Sequence, residues 1–244
     1  MDSHLLWLAV FVLIAYITQT MTGFGSLIIV MTLGSHLYPV EFLLPMIVPV
    51  DILQNAYIVV RNSRQVDRGL LFRRILPFMG IGLAAGILVF QFVHGERLKQ
   101  CLGLLVVLLC SRELYRLLRG KREPQLLARW KYTLYIVAAG IVQGVFASGG
   151  PLTVYAVSQF KLPKATFRST LSALWLLTNT VLAISYLAKG RLNEPTLRFT
   201  AWLVPFVLLG MVAGEILHDR VNEHHFRISV FVILILAGLS ILVG

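Results

Sequence analysis

From Leu5 to Gly34 the chain runs thirty residues without an Asp, Glu, Lys or Arg, and Tyr132 to Phe160 is a second run of the same kind. Stretches this long and apolar read as membrane-embedded, because about 20 such residues cross a bilayer core. Both runs are interrupted near the middle. The first carries Gln19, Thr22, Gly23, Gly25 and Ser26; the second carries Gln143, Ser148, Gly149, Gly150 and Pro151. An unbroken helix of thirty residues would measure about 45 Å against a hydrocarbon core of about 30 Å. Either the broken segment crosses once, tilted or overhanging, or it turns back at the glycines as a re-entrant hairpin.

The remaining apolar runs are Phe42–Val60, Ile75–Val93, Leu98–Leu118, Ser169–Ala188, Phe199–Leu217 and Ile228–Val243. Only 14% of residues are charged, against about 25% in soluble domains. This excludes an ordinary soluble domain, and the absence of short alternating segments argues against a membrane barrel. The expected fold is an all-α polytopic membrane protein of about eight hydrophobic helical segments. The segment Leu98–Leu118 is the least apolar, and its Arg112, Glu113 and Arg116 should lie at an interface. The first run is too long for a cleaved signal peptide and is expected to stay in the protein.

The segments fall into two four-segment halves, taken as 1–122 and 123–244. At an offset of 124, Gln19 matches Gln143, Gly25 matches Gly149 and Asn55 matches Asn179; at 128, Pro77, Phe78, Gly82 and Gly86 match Pro205, Phe206, Gly210 and Gly214. Duplicated halves are the usual build of secondary transporters. The Gly-x3-Gly pairs permit close helix contact.

The net charge of +11 comes from basic clusters between the apolar runs, Arg61 to Arg74 and Arg112 to Lys131. That is the positive-inside distribution of a membrane protein, not a nucleic-acid surface. The reading adopted has eight spans with both termini in the cytoplasm; the alternative has six spans plus two hairpins, with inverted halves. Cys101 and Cys110 are nine residues apart on one helix, on roughly opposite faces, and cannot bond to each other. The six histidines lie near run ends with no i, i+4 pair, so no metal site is expected, and no cofactor. No phosphate-binding Gly-Lys-Ser/Thr loop and no nucleophile–base pair is present in the spans, which argues against an ATPase or another enzyme.

A helix broken inside lipid survives only where it lines a cavity. Its restart presents unpaired N–H groups and the positive end of the dipole, which suits an anion. Pro151 fits a first helical turn, Gly149 or Gly150 can cap, and Ser26 is the cap candidate in the first half. Thr22 and Ser148 add hydroxyl donors. Asp51, midway along its run, is the one acid deep in any segment. An ionisable group there is expensive and functional by default, so Asp51 is the candidate proton-coupling residue. Asn55 lies four residues on, on the same face.

Gln19 with Thr22-Gly23-Phe24-Gly25, and Gln143 with Ala147-Ser148-Gly149-Gly150-Pro151, each opening a four-run half, resemble the sulfite exporter TauE/SafE family over essentially the whole chain. The resemblance implies movement of sulfite, sulfonates or related small anions across the bacterial inner membrane, coupled to protons. The substrate site would then comprise Gln19, Thr22, Gly23, Gly25, Ser26, Gln143, Ser148, Gly149, Gly150 and Pro151, with Asn55 and Asn179. Partners are the small anion and the lipid bilayer. An anion channel and an intramembrane enzyme are the alternative readings.

Overall fold

The computed structural model describes residues 3–93, 95–119, 127–218 and 223–243, and the boundary expected at 122/123 lies outside them, as does His94. Among the described residues every regular element is helical. The first half of the chain gives α1 (Ser3–Thr22), α2 (Ser26–Gly34) and α3 (Val40–Arg61). A short α4 (Arg68–Leu70) then runs through one π-helical turn (Leu71–Ile75) into α5 (Leu76–Phe92), followed by α6 (Glu96–Leu118). The second half gives α7 (Arg129–Phe146), α8 (Gly150–Ser158), α9 (Lys164–Ala188), α10 (Glu194–His218) and α11 (Glu223–Val243). Among the described residues five helices are long and apolar enough to cross a membrane: Ser3–Thr22, Val40–Arg61, Arg68–Phe92, Lys164–Ala188 and Glu194–Leu217. Ile228–Val243 is a shorter apolar helix.

Neither broken run continues in one direction. Gly34, ending α2, lies against Leu8 near the start of α1, and the rings of His4 and Tyr38 stand 6.2 Å apart. The chain has therefore doubled back. The second break does the same: Tyr132 and Phe160 rings are 5.6 Å apart, and Leu127 N–H donates to Gln159 Oε1 at 3.0 Å. Of the two readings of each broken run, one tilted or overhanging crossing is corrected in favour of the hairpin. The physical cause is local. Gly23 and Gly25 sit at φ +83 and +108, and Ala147 at +52, conformations that reverse a right-handed helix.

Because both broken runs are hairpins, the helix directions follow. Contacts at one end tie Phe42 to Phe199 and Phe90 to Tyr186. Contacts at the other tie Arg61 to Glu215 and the Asp67 N–H to Thr170 Oγ1. The α1–α2 hairpin starts and finishes at the first end; the α7–α8 hairpin starts and finishes at the second. This second end gathers the arginines of 61–74 with Arg112, Arg116, Arg119, Arg129, Lys161, Lys164 and Arg168, and is the basic face.

Each hairpin packs on a helix of the other half of the chain. Gly82 and Gly86 of α5 lie against α7, where an added Cβ would come within 2.1 Å of Val137 O and 2.3 Å of Ile141 O. The reciprocal glycines are Gly140 and Gly144, 2.3 Å from Met79 O and 2.5 Å from Leu83 O on the same measure. Gly210 and Gly214 of α10 play the same part against α1, at Leu13, Tyr16, Ile17 and Thr20. Small residues let these backbones touch, which is how helices associate without a hydrophobic drive in lipid. The exposed large side chains, among them Trp7, Phe92, Leu108, Ile184 and Leu209, cover the outer faces. An outward apolar surface is what a bilayer solvates.

Candidate functional site

The centre of the molecule is a ring of buried polar side chains assembled from both breaks. Gln19 closes the first break: its Oε1 accepts the Ser26 N–H at 3.1 Å. Gln143 closes the second by accepting the Gly149 N–H at 2.9 Å. Each amide oxygen is thus committed to a restarting helix, which fixes the direction of each NH2 group. Gln19 Nε2 donates to Asp51 Oδ1 at 3.2 Å, and Gln143 Nε2 donates to Asn179 Oδ1 at 2.7 Å. With its oxygen so engaged, Asn179 can only turn its Nδ2 toward Asp51, and donates to Oδ2 at 2.7 Å. Asn55 Nδ2 donates to the same oxygen at 2.6 Å, and Ser26 Oγ donates to Oδ1 at 2.8 Å. Gln19, Ser26, Asp51, Asn55, Gln143 and Asn179 are all buried.

Asp51 therefore accepts four neutral donors and faces no cation within hydrogen-bonding distance among the described residues. Donors to a charged acceptor are the stronger class of hydrogen bond, and they offset part of the cost of holding a carboxylate in the interior. One contact gives the ring a second configuration. The Ser26 hydroxyl also touches Gln19 Oε1, and its single proton serves one oxygen at a time. With Asp51 ionised, Ser26 donates to the carboxylate. With Asp51 protonated on Oδ1, the acid proton can point at Ser26 Oγ while the Ser26 proton turns to Gln19 Oε1. Neither protonation state leaves that buried donor stranded.

The other residues marked by the sequence divide clearly. Gln19, Gly25, Asp51, Gln143, Ser148, Gly150 and Pro151 line one cavity of about 20 Å³ between the two breaks, with Trp175 on its wall. That volume suits about one water. Thr22 and Ser148 spend their hydroxyls on backbone carbonyls, Thr22 on Thr18 or Phe24 and Ser148 on Phe146. Ser26 is not the cap of α2: the cap is Gly25, and Ser26 is the first helical residue with its hydroxyl turned to Asp51. Gly149 caps α8, and Pro151 lies in its first turn. Asn55 and Asn179 hold Asp51 and do not line the cavity. Gln54, whose Nε2 donates to Thr20 Oγ1 at 3.0 Å, belongs to the same buried layer. A second uncharged amide beside Asn55 was the available signal for it. Among the described residues no group of His, Cys, Asp and Glu could hold a metal ion.

The two breaks need glycine for different reasons, and this yields a paired prediction. Gly25 has nothing within 4 Å of an added Cβ, but its φ is +108. Gly149 has an ordinary φ of −66, but its Cβ would come within 2.4 Å of Ala139 O. Gly25→Ala should lower stability by roughly 1–3 kcal/mol through backbone strain. Gly149→Ala should cost a similar amount through overpacking, about 1–3 kcal/mol. The clash at Gly149 is with a backbone oxygen, so trimming a neighbouring side chain does not relieve it. Thermal unfolding in detergent of each variant against the wild type checks both.

The sulfite exporter TauE/SafE family model matches residues 8–241. A curated relative, the probable inner membrane transporter protein TsaS of Comamonas testosteroni, is 26% identical over 183 residues, covering 74% of each chain. No solved structure matches the chain significantly.

Proposed function

We propose, from the premise that this chain belongs to the sulfite exporter TauE/SafE family and is a multi-pass transporter of the inner membrane, that it carries a small oxidised-sulfur or organic anion coupled to protons through Asp51. The observation that carries this reading is the Ser26 hydroxyl, placed between Asp51 Oδ1 and Gln19 Oε1 so that the carboxyl can gain or lose a proton without orphaning a partner. Asp51 and the starts of α2 and α8 border the same cavity. An anion drawn to those helix starts meets a negative carboxylate unless Asp51 is protonated, so proton and anion bind together.

The substrate would be held by Gln19, Gln143 and the break residues Thr22, Gly23, Gly25, Ser26, Ser148, Gly149, Gly150 and Pro151. Asn55 and Asn179 would act through Asp51. The cavity holds about one water, so an oxyanion requires it to widen, as alternating access provides. The proposed topology has six spans, α3, α5, α6, α9, α10 and α11, plus two re-entrant hairpins entering from opposite faces. The halves 1–122 and 123–244 would then be inverted repeats; the same order of long, short and three long helices in each supports this. The basic face lies in the cytoplasm by the positive-inside rule, which puts both termini outside it.

Two measurements test the reading. Purified protein in liposomes should show saturable flux of sulfite, thiosulfate or sulfoacetate that responds to an imposed pH gradient. Ohmic conductance, with chloride passing equally well, would support a channel instead. A reporter at Met1 should be active in the periplasm; a cytoplasmic signal would overturn the proposed topology.

A further inference from the structure

Arg168, in the first turn and a half of α9, stands outside the ring just described and has an unusual position. Its stem lies along the first break: an added Cβ on Gly23 would come within 3.3 Å of Arg168 Cγ and 3.6 Å of its Cα. Its Nε is buried and has no hydrogen-bond partner among the described residues. A buried guanidinium donor left unmatched is costly. The charged and ionisable groups around it are Glu215, Arg61 and Tyr57. Glu215 is already paired with Arg61 at 3.4 Å, and Arg61 also donates to Tyr57 OH at 2.7 Å. The cluster therefore keeps an excess positive charge beside the Gly23 turn, at the basic end of the molecule. At the 124-residue offset the counterpart of Arg168 is Leu44, so the feature belongs to one face only.

We propose that Arg168 forms an access site for the transported oxyanion at the basic face, holding it against the Gly23 turn before it passes to the cavity. A guanidinium offers a planar fork that matches the oxygens of a sulfite or sulfonate group and is more weakly hydrated than an ammonium. Its partnerless Nε supplies a donor that nothing else in the fold uses. Gly23 serves two purposes here: it accepts the left-handed turn, and its missing side chain admits the arginine stem.

This inference rests on the carrier reading and is tested separately from it. Uptake of labelled sulfite and sulfoacetate is measured in right-side-out and inside-out membrane vesicles for the wild type, Arg168→Gln and Arg168→Lys. Arg168→Gln should raise KM for anion presented at the basic face by about tenfold or more, the scale of one lost hydrogen bond to a charged group. Both constants from the opposite face should stay near wild type, and the maximal rate from the basic face should rise in step with its KM, because at zero gradient the ratio of the two must be equal in both directions. Arg168→Lys keeps the charge without the fork and should fall between. An unchanged KM at the basic face, or an equal rise at both faces, overturns the access site alone. A wild type that moves neither anion overturns it together with the carrier reading.

Discussion

Asp51→Asn is expected to fold, to reach the membrane and to lose all response of anion flux to a pH gradient. The ring around Asp51 contains donors only: Ser26 Oγ, Gln19 Nε2, Asn55 Nδ2 and Asn179 Nδ2. An asparagine placed there keeps one oxygen, which the two asparagine amides would take. Its new NH2 faces Ser26 and Gln19. Ser26 can accept from it by turning its own proton to Gln19 Oε1, but Gln19 Nε2 is left without an acceptor. One stranded buried donor costs about 1–3 kcal/mol, so the variant should melt earlier without failing to assemble. Transport is hit harder, because no group in the ring can then take up a proton. Flux down an anion gradient should persist and be flat with pH; accumulation driven by protons should vanish. A variant that still accumulates anion with the wild-type pH profile removes Asp51 from the coupling.

The second large effect is expected at the α5–α7 contact. Gly86→Ala places a methyl 2.3 Å from Ile141 O and 2.8 Å from the Gly144 Cα. Carbon and oxygen normally approach no closer than about 3.3 Å, so the two helices must part by roughly 1 Å along their seam. Overpacking of this kind costs about 1–3 kcal/mol per site and occasionally more. Gly82 is tighter still, with Val137 O at 2.1 Å. Gly82→Ala with Gly86→Ala should abolish a monodisperse peak on gel filtration in detergent. Gly80→Ala is the control on the same helix: nothing lies within 4 Å of its added Cβ. Helix propensity then favours alanine by up to about 1 kcal/mol. Equal behaviour of the Gly80 and Gly86 variants would mean that the seam is not what holds α7, and with it Gln143, in place.

The polar centre was legible in the chain because lipid makes it so. Gln19, Asp51, Asn55, Gln143 and Asn179 are uncharged-run exceptions, and each such exception needs a partner in the interior. Their mutual pairing was not legible, since it depends on how Gln19 and Gln143 spend their oxygens, on Ser26 and Gly149 N–H groups that no composition reveals. Helix direction after a glycine is equally silent. The thirty-residue length of Leu5–Gly34 showed that a straight crossing would overhang, yet only the φ values of Gly23 and Gly25 turn α2 back upon α1. Ala147, a non-glycine residue at φ +52, does part of that work in the second break. Gly140 and Gly144 were hidden for a different reason. They sit in the same run as Gln143 and Gly149, and a backbone contact between helices leaves no motif apart from small residues four apart.

The pairing of α1 with α10 also bears on biogenesis. Gly210 touches Leu13 and Tyr16, and Gly214 touches Ile17 and Thr20, so the first segment made docks on nearly the last. At roughly 5–20 residues per second, the nascent chain waits about 10–40 s between the two events. Throughout that interval the face of α1 that carries Tyr16 and Thr20 sits beside the ribosome-bound translocation machinery without its mate. A chain terminated before α10 leaves that polar stripe open to lipid. Such a fragment should depend on a membrane chaperone and be cleared by quality-control proteases, however well its own four spans insert.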